Sequence, residues 1–521
     1  MPEPRIFWGE THNNTHQFQP LPTPFEEVLS NAASHLDFYA AAYYTPFASS
    51  FQPGGHPSET DQPRPLILEG WKPQERLDRE WAEVQDATRR HNAPGRFVTF
   101  PGYEWQGDGS GGDHNVYALR EGLPIFRVDK LAELYARLRG RQAIAIPHHV
   151  GYRPGLRGRD WSVFDEALSP FCEIFSVHGS SETDEEWIGL RQNSHMGPGI
   201  GGGTYQAALD RGYHLGCMCS TDGWDDMPGR HGRGLMACLA TELTREALWE
   251  AFLARRVYGV TGDRIQLDFG IGEARMGEVA TVRGPRRIRV RVVGLDALDR
   301  IELLRNGRVI ATHCHQGTWD LPRTRARFKL RVEAGWGPRP NEMPVMEREW
   351  SGELQVAGGR ILGYEPCWIS PGQGRPEIAG DAAAFTMRSS TRHVTERAQN
   401  ATVFEFEASP EAPLCVRMNG LEERGTVADF ARASREMWFR DECVGLLAGR
   451  GVPPGSPERM DPYHHYAFKV KLHRAVPEAG YAAEWEHVDD APLAGEANYR
   501  VRVEQRNAQR AWSSPIWVRP E

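Results

Sequence analysis

The sequence predicts an α/β barrel followed by a mainly antiparallel β-sandwich, and three observations carry that expectation. Up to about residue 265, short apolar runs alternate with stretches of helical period, as βα units do. Each of these runs closes on polar or ionisable side chains, and an α/β barrel gathers its active site at the C-terminal ends of its strands. After VYGVTGDRI the period changes: Ile288, Val290 and Val292 alternate with Arg289 and Arg291, the pattern of half-buried antiparallel strands.

In chain order, Ile6, Phe7 and Trp8 lead a first strand into GETHNNTH, residues 9–16. A helix follows, with Thr23 as N-cap, Pro24 at the first helical position and Glu26 closing a capping box. LDFYAAAYY ends a second strand on Tyr43 and Tyr44. Leu77, Trp81, Val84 and Ala87 form one apolar helical stripe; Leu131, Leu134, Tyr135 and Leu138 form another, ended by Gly140 before AIAIPHH. FVTFPGYEW closes on Glu104, and the glycines of GGDHNVY let the chain fold back to bring His114 toward that strand end. CEIFSVHGSS and GCMCSTDGW close two later strands on His178 and Asp222, and LMACLATEL is a further apolar run. About seven strands result. In the second half, DRIELLRNGRVIAT reads as two strands around an Asn306-Gly307 turn. Tyr499, Val501 and Val503 face one way in a late strand and Arg500, Arg502 and Glu504 the other, while residues 336–346 and 452–463 are Pro-rich loops. The boundaries are a metal-binding barrel over 1–265 and a β-rich sandwich domain over 266–521.

A length of 521 residues implies two or three domains. The formal net charge of -9, with no block of like charge, argues against a nucleic-acid surface or a polybasic membrane contact. Eight scattered cysteines without a CxxC pair point to reduced thiols. The N-terminus lacks a signal-peptide layout and no apolar run is long enough to span a bilayer, so a cytoplasmic protein with a small-molecule partner is expected. A homo-oligomer remains open.

His12, Glu104, His114, His178 and Asp222 offer nitrogen and oxygen donors from five segments. That set suits zinc, manganese or iron without thiolate help. Alone, each is a strand-end cap or a satisfied hydrogen-bond partner; their recurrence at equivalent strand ends favours metal. His148 or His149 is a candidate to polarise a leaving group, against a structural imidazole under the next loop. The Tyr44 phenol can donate to substrate or simply pack. GPGIGGGTYQAAL places glycines before a helix capped by Thr204, but lacks the lysine of a phosphate loop and reads first as a flexible loop. His313 with His315, and His464 with His465, lack a third ligand, and Cys217 and Cys219 read as core.

IFWGETH, LDFYAAAYY, PGYEW, GDHNVY, IPHHVGY, EIFSVHGSSE, STDG, ELTREALWEAFLARRVYGVTGDRI and AWSSPIWV, in that order, resemble the PHP (polymerase and histidinol phosphatase) superfamily, and within it domain-of-unknown-function family 3604. The resemblance implies a distorted (β/α)7 barrel with up to three metals at its strand ends. This sequence departs from the superfamily pattern in informative places. The first motif, usually His-x-His, reads His12-Asn13-Asn14; the second strand ends Tyr43-Tyr44 in place of Asp-His; the last motif reads Asp222-Gly223-Trp224 in place of Asp-x-His. An aspartate usual after the first motif is absent from HQFQPLPTP. By resemblance these missing residues are the ligands of a third metal. One remaining ion would take His12, Glu104 and Asp222, with Asn14 or His16 filling the vacant place; a second would take Glu104, His114 and His178.

The expected function is therefore a metal-dependent hydrolase of a small organic molecule, working through one or two divalent ions (zinc, manganese or iron). Asp222 would accept the proton of the attacking water, and His149 or Tyr44 would assist the leaving group. The alternatives are a phosphoesterase of the usual superfamily type and a catalytically inactive protein that binds a ligand or carbohydrate.

Overall fold

The computed structural model describes residues 3–16, 23–45, 72–155, 157–186, 188–190, 199–224, 226–314, 320–337, 346–391, 399–451 and 467–521. His315, His464, His465, the Pro-rich loop 452–463 and residues 338–345 of the other Pro-rich loop lie outside the described residues. Within these bounds the chain is a strand-rich, mixed α/β protein. No helix among the described residues is long and apolar enough to cross a membrane.

The first strand, β1 (Arg5–Thr15), is buried continuously from Phe7 onward, so both its faces are covered, as in the middle of an α/β sheet. Helix α1 (Phe25–Ala33) and strand β2 (Phe38–Thr45) follow. The helix starts later than its sequence suggests. Pro24 occupies the N-cap position, with no side-chain cap bond, and Glu26 turns instead to Arg90 and to His91 Nε2, at 2.6 Å. An ion pair to the next helix thus replaces the expected capping box.

Next come α2 (Gln74–His91), β3 (Val98–Phe100), β4 (Gly102–Trp105), β5 (His114–Ala118), α3 (Leu131–Leu138) and β6 (Ala143–Pro147). Both helical stripes read from the sequence are buried. Strands β7 (Phe171–Ser176), β8 (Gly179–Ser180), β9 (Gly216–Cys219), β10 (Leu235–Ala240) and β11 (Val257–Val260) complete this half, with α4 (Tyr205–Asp210) before β9 and α5 (Arg245–Leu253) before β11. Thr204 caps α4, accepting from Ala207 N at 3.3 Å.

Among the described residues these strands do not close into a seven-stranded hydrogen-bonded ring. Strands β6, β5, β4, β2, β1, β10 and β11 lie in one sheet in that order, while β7, β8 and β9 form a separate one. Local bonds span the gap between β6 and β7: Ala145 N donates to Leu168 O at 2.7 Å and Ser169 Oγ donates to Ala145 O at 2.6 Å. Strands β1, β2 and β4 run parallel, but β5 is antiparallel to both its neighbours and β10 is antiparallel to β1 and β11. Strand β10 therefore ends beside Arg5, at the opposite end from the site, so its polar C-terminus serves no site.

The β-sandwich forms around residues 326–472. A six-stranded sheet that includes Ala326–Gly335 and Asn400–Ala408 and a five-stranded sheet that includes Glu347–Val356 and Ala382–Ser390 share a core of Phe328, Trp350, Leu354, Phe385, Phe404 and Phe406. The remaining strands behave differently. Arg510–Ser513 pairs antiparallel with β11, and Ala497–Gln505 and Ile516–Pro520 continue the same sheet. Asn306 and Gly307 both take positive φ between Leu298–Arg305 and Arg308–Cys314, as a tight hairpin turn requires. Arg500, on the face opposite Tyr499, Val501 and Val503, is buried and bonds to Glu182 and to Gln206 Oε1. The outer face of its strand is covered by the loop after β8.

Candidate metal centre

Strands β1, β4, β6, β7 and β9 bring their C-terminal ends together, and the reversed β5 contributes its first residue. In the ladder His114 pairs with both Trp105 and Pro147, so the hairpin carries it back to the end where Glu104 and His148 lie.

His12 is fully buried. Its Nδ1 lies 2.8 Å from Glu173 Oε2, an oxygen that also accepts from Ser220 Oγ at 2.6 Å. With Nδ1 engaged by a carboxylate, Nε2 is the nitrogen turned to the site. It stands 3.2 Å from Asp222 Oδ1 and 3.7 Å from Glu104 Oε2, and makes no hydrogen bond. His148 Nε2 is 3.8 Å from Glu104 Oε1, and its ring centroid is 4.1 Å from that of His12. His178 Nε2 is 3.2 Å from Asp222 Oδ2, and its Nδ1 lies 2.9 Å from Tyr152 Oη.

Glu10 fixes the loop that carries Asp222. Its buried carboxylate accepts from His12 N at 2.6 Å, from Thr221 N at 3.1 Å and from Gly229 N at 3.1 Å, while Asn14 N donates to Gly223 O at 2.7 Å. Asp222 (φ 46°) and His149 (φ 33°) both sit in left-handed backbone, a conformation that costs a non-glycine residue free energy and concentrates at functional sites.

Burial pushes the Asp222 carboxyl well above its ordinary range, with Glu173 and Glu104 adding to the effect and His12 opposing it. Burial works against a charged His12, but Asp222 and Glu173 outweigh it and raise that imidazole. Burial also raises Glu10 to about 7, against the hydrogen bonds it accepts. His148 and His114 are driven well below their ordinary value by burial, and His149 to about 3 by burial and then Arg157. Neutral imidazoles are what a metal requires of histidine.

Ligand atoms of His12, Glu104 and His148 lie within 4.8 Å of one another, as do those of His12, Glu173 and Asp222, and of Asp113, His148 and His149. His12 Nε2, Glu104 Oε2, Asp222 Oδ2 and both ring nitrogens of His148 are buried without a hydrogen-bond partner. Buried polar atoms are seldom left so, and carboxyl and imidazole groups converging in this way offer the oxygen and nitrogen donors of a divalent-cation site. A fourth group, His231, Asp263 and Cys367, differs in kind. Asp263 there is saturated by Arg331 at 2.7 Å, Gln505 and Asn507 at 2.8 Å and His231 at 2.8 Å, which makes it a structural hub.

The other sequence candidates are placed as follows. His114 is buried with Nδ1 2.9 Å from Gly112 O, and belongs to none of these groups. His16 packs edge-on against Phe25 and Tyr43, with Nε2 3.9 Å from Glu83, which turns it toward α2. Asn14 is buried with Oδ1 unpartnered. Tyr44 is buried and meets Trp224 edge-on at 4.5 Å, and Trp224 is 37% exposed. The pair forms an aromatic wall opening to solvent. His313 lies beside Trp485, ring centroids 5.8 Å apart and tilted by 32°, on the β-rich half, and Cys217 and Cys219 are buried core.

Sequence reasoning missed Glu173, Asp113 and Arg157. Glu173 had a signal, a lone carboxylate inside the apolar run FCEIF that a buried strand does not hold without a partner. Arg157 had none, because its role depends on its contact with Asp113, 44 positions earlier in the chain.

No family model matches the chain. Among curated proteins, an uncharacterised protein of Chlamydia pneumoniae is 29% identical over 263 residues, covering 44% of this chain and 40% of that one. Uncharacterised proteins of Chlamydia muridarum and Chlamydia trachomatis serovar D are each 27% identical, over 36% and 35% of this chain and 32% and 31% of their own lengths. The chain thus matches less than half the length of these relatives. A solved structure from Bacteroides vulgatus, described as a two-domain protein containing a predicted PHP-like metal-dependent phosphoesterase, is 9% identical with a TM-score of 0.33, covering 58% of this chain and 79% of that chain. A likeness of that size carries no argument. The chain is similar to these proteins over the stated parts, and the reading of its site rests on its own residues.

Proposed function

We propose that the chain is a metal-dependent hydrolase of a small organic molecule, its centre built on His12, Glu104, His148 and Asp222 beneath the wall of Tyr44 and Trp224. The observation that carries this reading is the convergence of buried donor atoms without hydrogen-bond partners at the ends of β1, β4, β6 and β9. The motif resemblance to the PHP superfamily supports it. A cytoplasmic setting, without nucleic-acid or membrane partners, belongs to the same proposal and follows from composition.

A divalent ion held there supplies Lewis acidity and lowers the pKa of a water molecule. The protein's own groups do the rest. Glu173 holds His12 with Nε2 toward the site. Asp222 takes the proton of the attacking water, and His178 Nε2 stands beside that carboxyl, 3.2 Å from Oδ2. Burial, then Glu104, raises the Tyr44 phenol, so Tyr44 stays protonated and donates a hydrogen bond to the leaving group. His149, held neutral, serves better as an acceptor than as an acid.

Phosphoesterase action is the second reading, favoured by the buried Arg157 guanidinium beside Glu104. A panel of neutral esters, amides and lactones against generic phosphate esters, run with zinc, manganese and iron, separates the two. Turnover of the neutral substrates that is lost in Asp222→Asn fits the first reading, and turnover of phosphate esters alone fits the second. No metal-dependent turnover, together with ligand binding insensitive to chelator, leaves the chain a binding protein.

A further inference from the structure

We infer that the Arg157 guanidinium takes the place of a second metal ion beside Glu104, so that the centre holds a single ion. The inference rests on the metal-centre reading above and adds its stoichiometry.

The two oxygens of Glu104 have different surroundings. Oε2 is buried without a hydrogen bond and faces His12 Nε2. Oε1 accepts from Gln106 Nε2 at 2.6 Å, and Arg157 Nη2 stands 3.7 Å away. A carboxylate that bridges two metal ions presents one oxygen to each. Here the oxygen that would face the second ion already meets an amide donor and a cation.

Ligands for a second ion are nevertheless present. Asp113 and His149 bring ligand atoms within 4.8 Å of each other and of His148, which the first centre already uses, but Arg157 sits on Asp113, with Nε 2.6 Å from Oδ2 and Nη2 on the same oxygen. The loop is built to deliver it: Arg157 has φ 72°, its N–H donates to Gly109 O at 3.0 Å, and the residue is 8% exposed. A guanidinium does not lose its proton in proteins, so the positive charge is permanent. A divalent ion in the same place would have to displace it from Asp113 and would be repelled by it.

The test is metal stoichiometry on the full chain. Purified without chelator and loaded with excess manganese, the wild type is expected to bind one ion and give the uncoupled six-line spectrum of isolated Mn(II). Arg157→Ala leaves Asp113 and the second Glu104 oxygen to a cation and is expected to bind two, with an exchange-coupled spectrum. Arg157→Lys keeps the charge and is expected to bind one. Two coupled ions in the wild type, or one ion in Arg157→Ala, would overturn the inference and leave the metal-centre reading standing; none in the wild type would remove both. Should Arg157→Ala not fold, the wild-type titration still decides: saturation at one ion supports the inference, and a coupled second equivalent refutes it.

Discussion

Glu173 is buried behind His12, yet it should govern how tightly the centre holds metal. Its Oε2 accepts from His12 Nδ1 at 2.8 Å and from Ser220 Oγ at 2.6 Å, which fixes both the tautomer and the ring orientation of His12. Outer partners of this kind are worth roughly 10- to 100-fold in metal affinity. Glu173→Gln keeps the size and one acceptor oxygen but loses the charge, and should fall at the lower end, about 1.4 kcal/mol by the tenfold conversion. Glu173→Leu removes the acceptor altogether and should approach 100-fold, about 2.7 kcal/mol on the same scale. Competition for zinc with a chromophoric chelator measures both. Thermal unfolding of each variant in excess chelator separates a damaged fold from a loosened ligand. If both variants bind zinc within about twofold of wild type while their metal-free forms unfold as wild type does, the orienting role assigned to Glu173 is wrong.

Three further outcomes are expected. Chelator should lower the unfolding temperature of metal-loaded protein, since ion held at a hundred times its Kd stabilises by about 2.7 kcal/mol; an unchanged melt by calorimetry would count against the centre. Arg500→Met leaves the buried Glu182 carboxylate with Arg502, Trp512 and Glu186 and should cost about 3–5 kcal/mol in urea unfolding; an unchanged midpoint would mean the pair is dispensable. Asp489 is buried, which alone would raise its pKa, but bonds from Tyr499 and Arg286 lower it to about 2. The stabilisation is therefore complete above the unfolded carboxyl value and disappears as pH falls toward 2. Asp489→Asn should cost about 1–2 kcal/mol at pH 7 after allowance for solvent screening, and the gap from wild type should close near pH 2.

Much of the local structure was legible because it depends on period. Ile288, Val290 and Val292 are buried between exposed arginines, and the stripes of α2 and α3 face inward. His12, Glu104 and Asp222 were legible for a related reason: a buried strand that ends in ionisable groups needs something to satisfy them. Direction was not legible, since a strand has the same period either way. The reversals of β5 and β10 could not be read from alternation. Long-range partners were equally hidden. Alternation put Arg500 on the face opposite Tyr499 without showing that Glu182, more than 300 positions earlier in the chain, covers it. Arg157 entered the site through a loop whose residues carry no periodic signal.

The pairing of β11 with Arg510–Ser513 also sets an order of events in the cell. Val260 waits for Ala511, and at roughly 5–20 residues per second the ribosome supplies that partner only after some 12–50 s. Throughout that interval β11 has an open edge, and Cys172, Cys217 and Cys219 lack the cover of Trp512 and Trp517. An unpaired edge and uncovered apolar surface invite association with other chains. The nascent protein therefore has a window in which holdase chaperones should bind it, closing when the last strands are made.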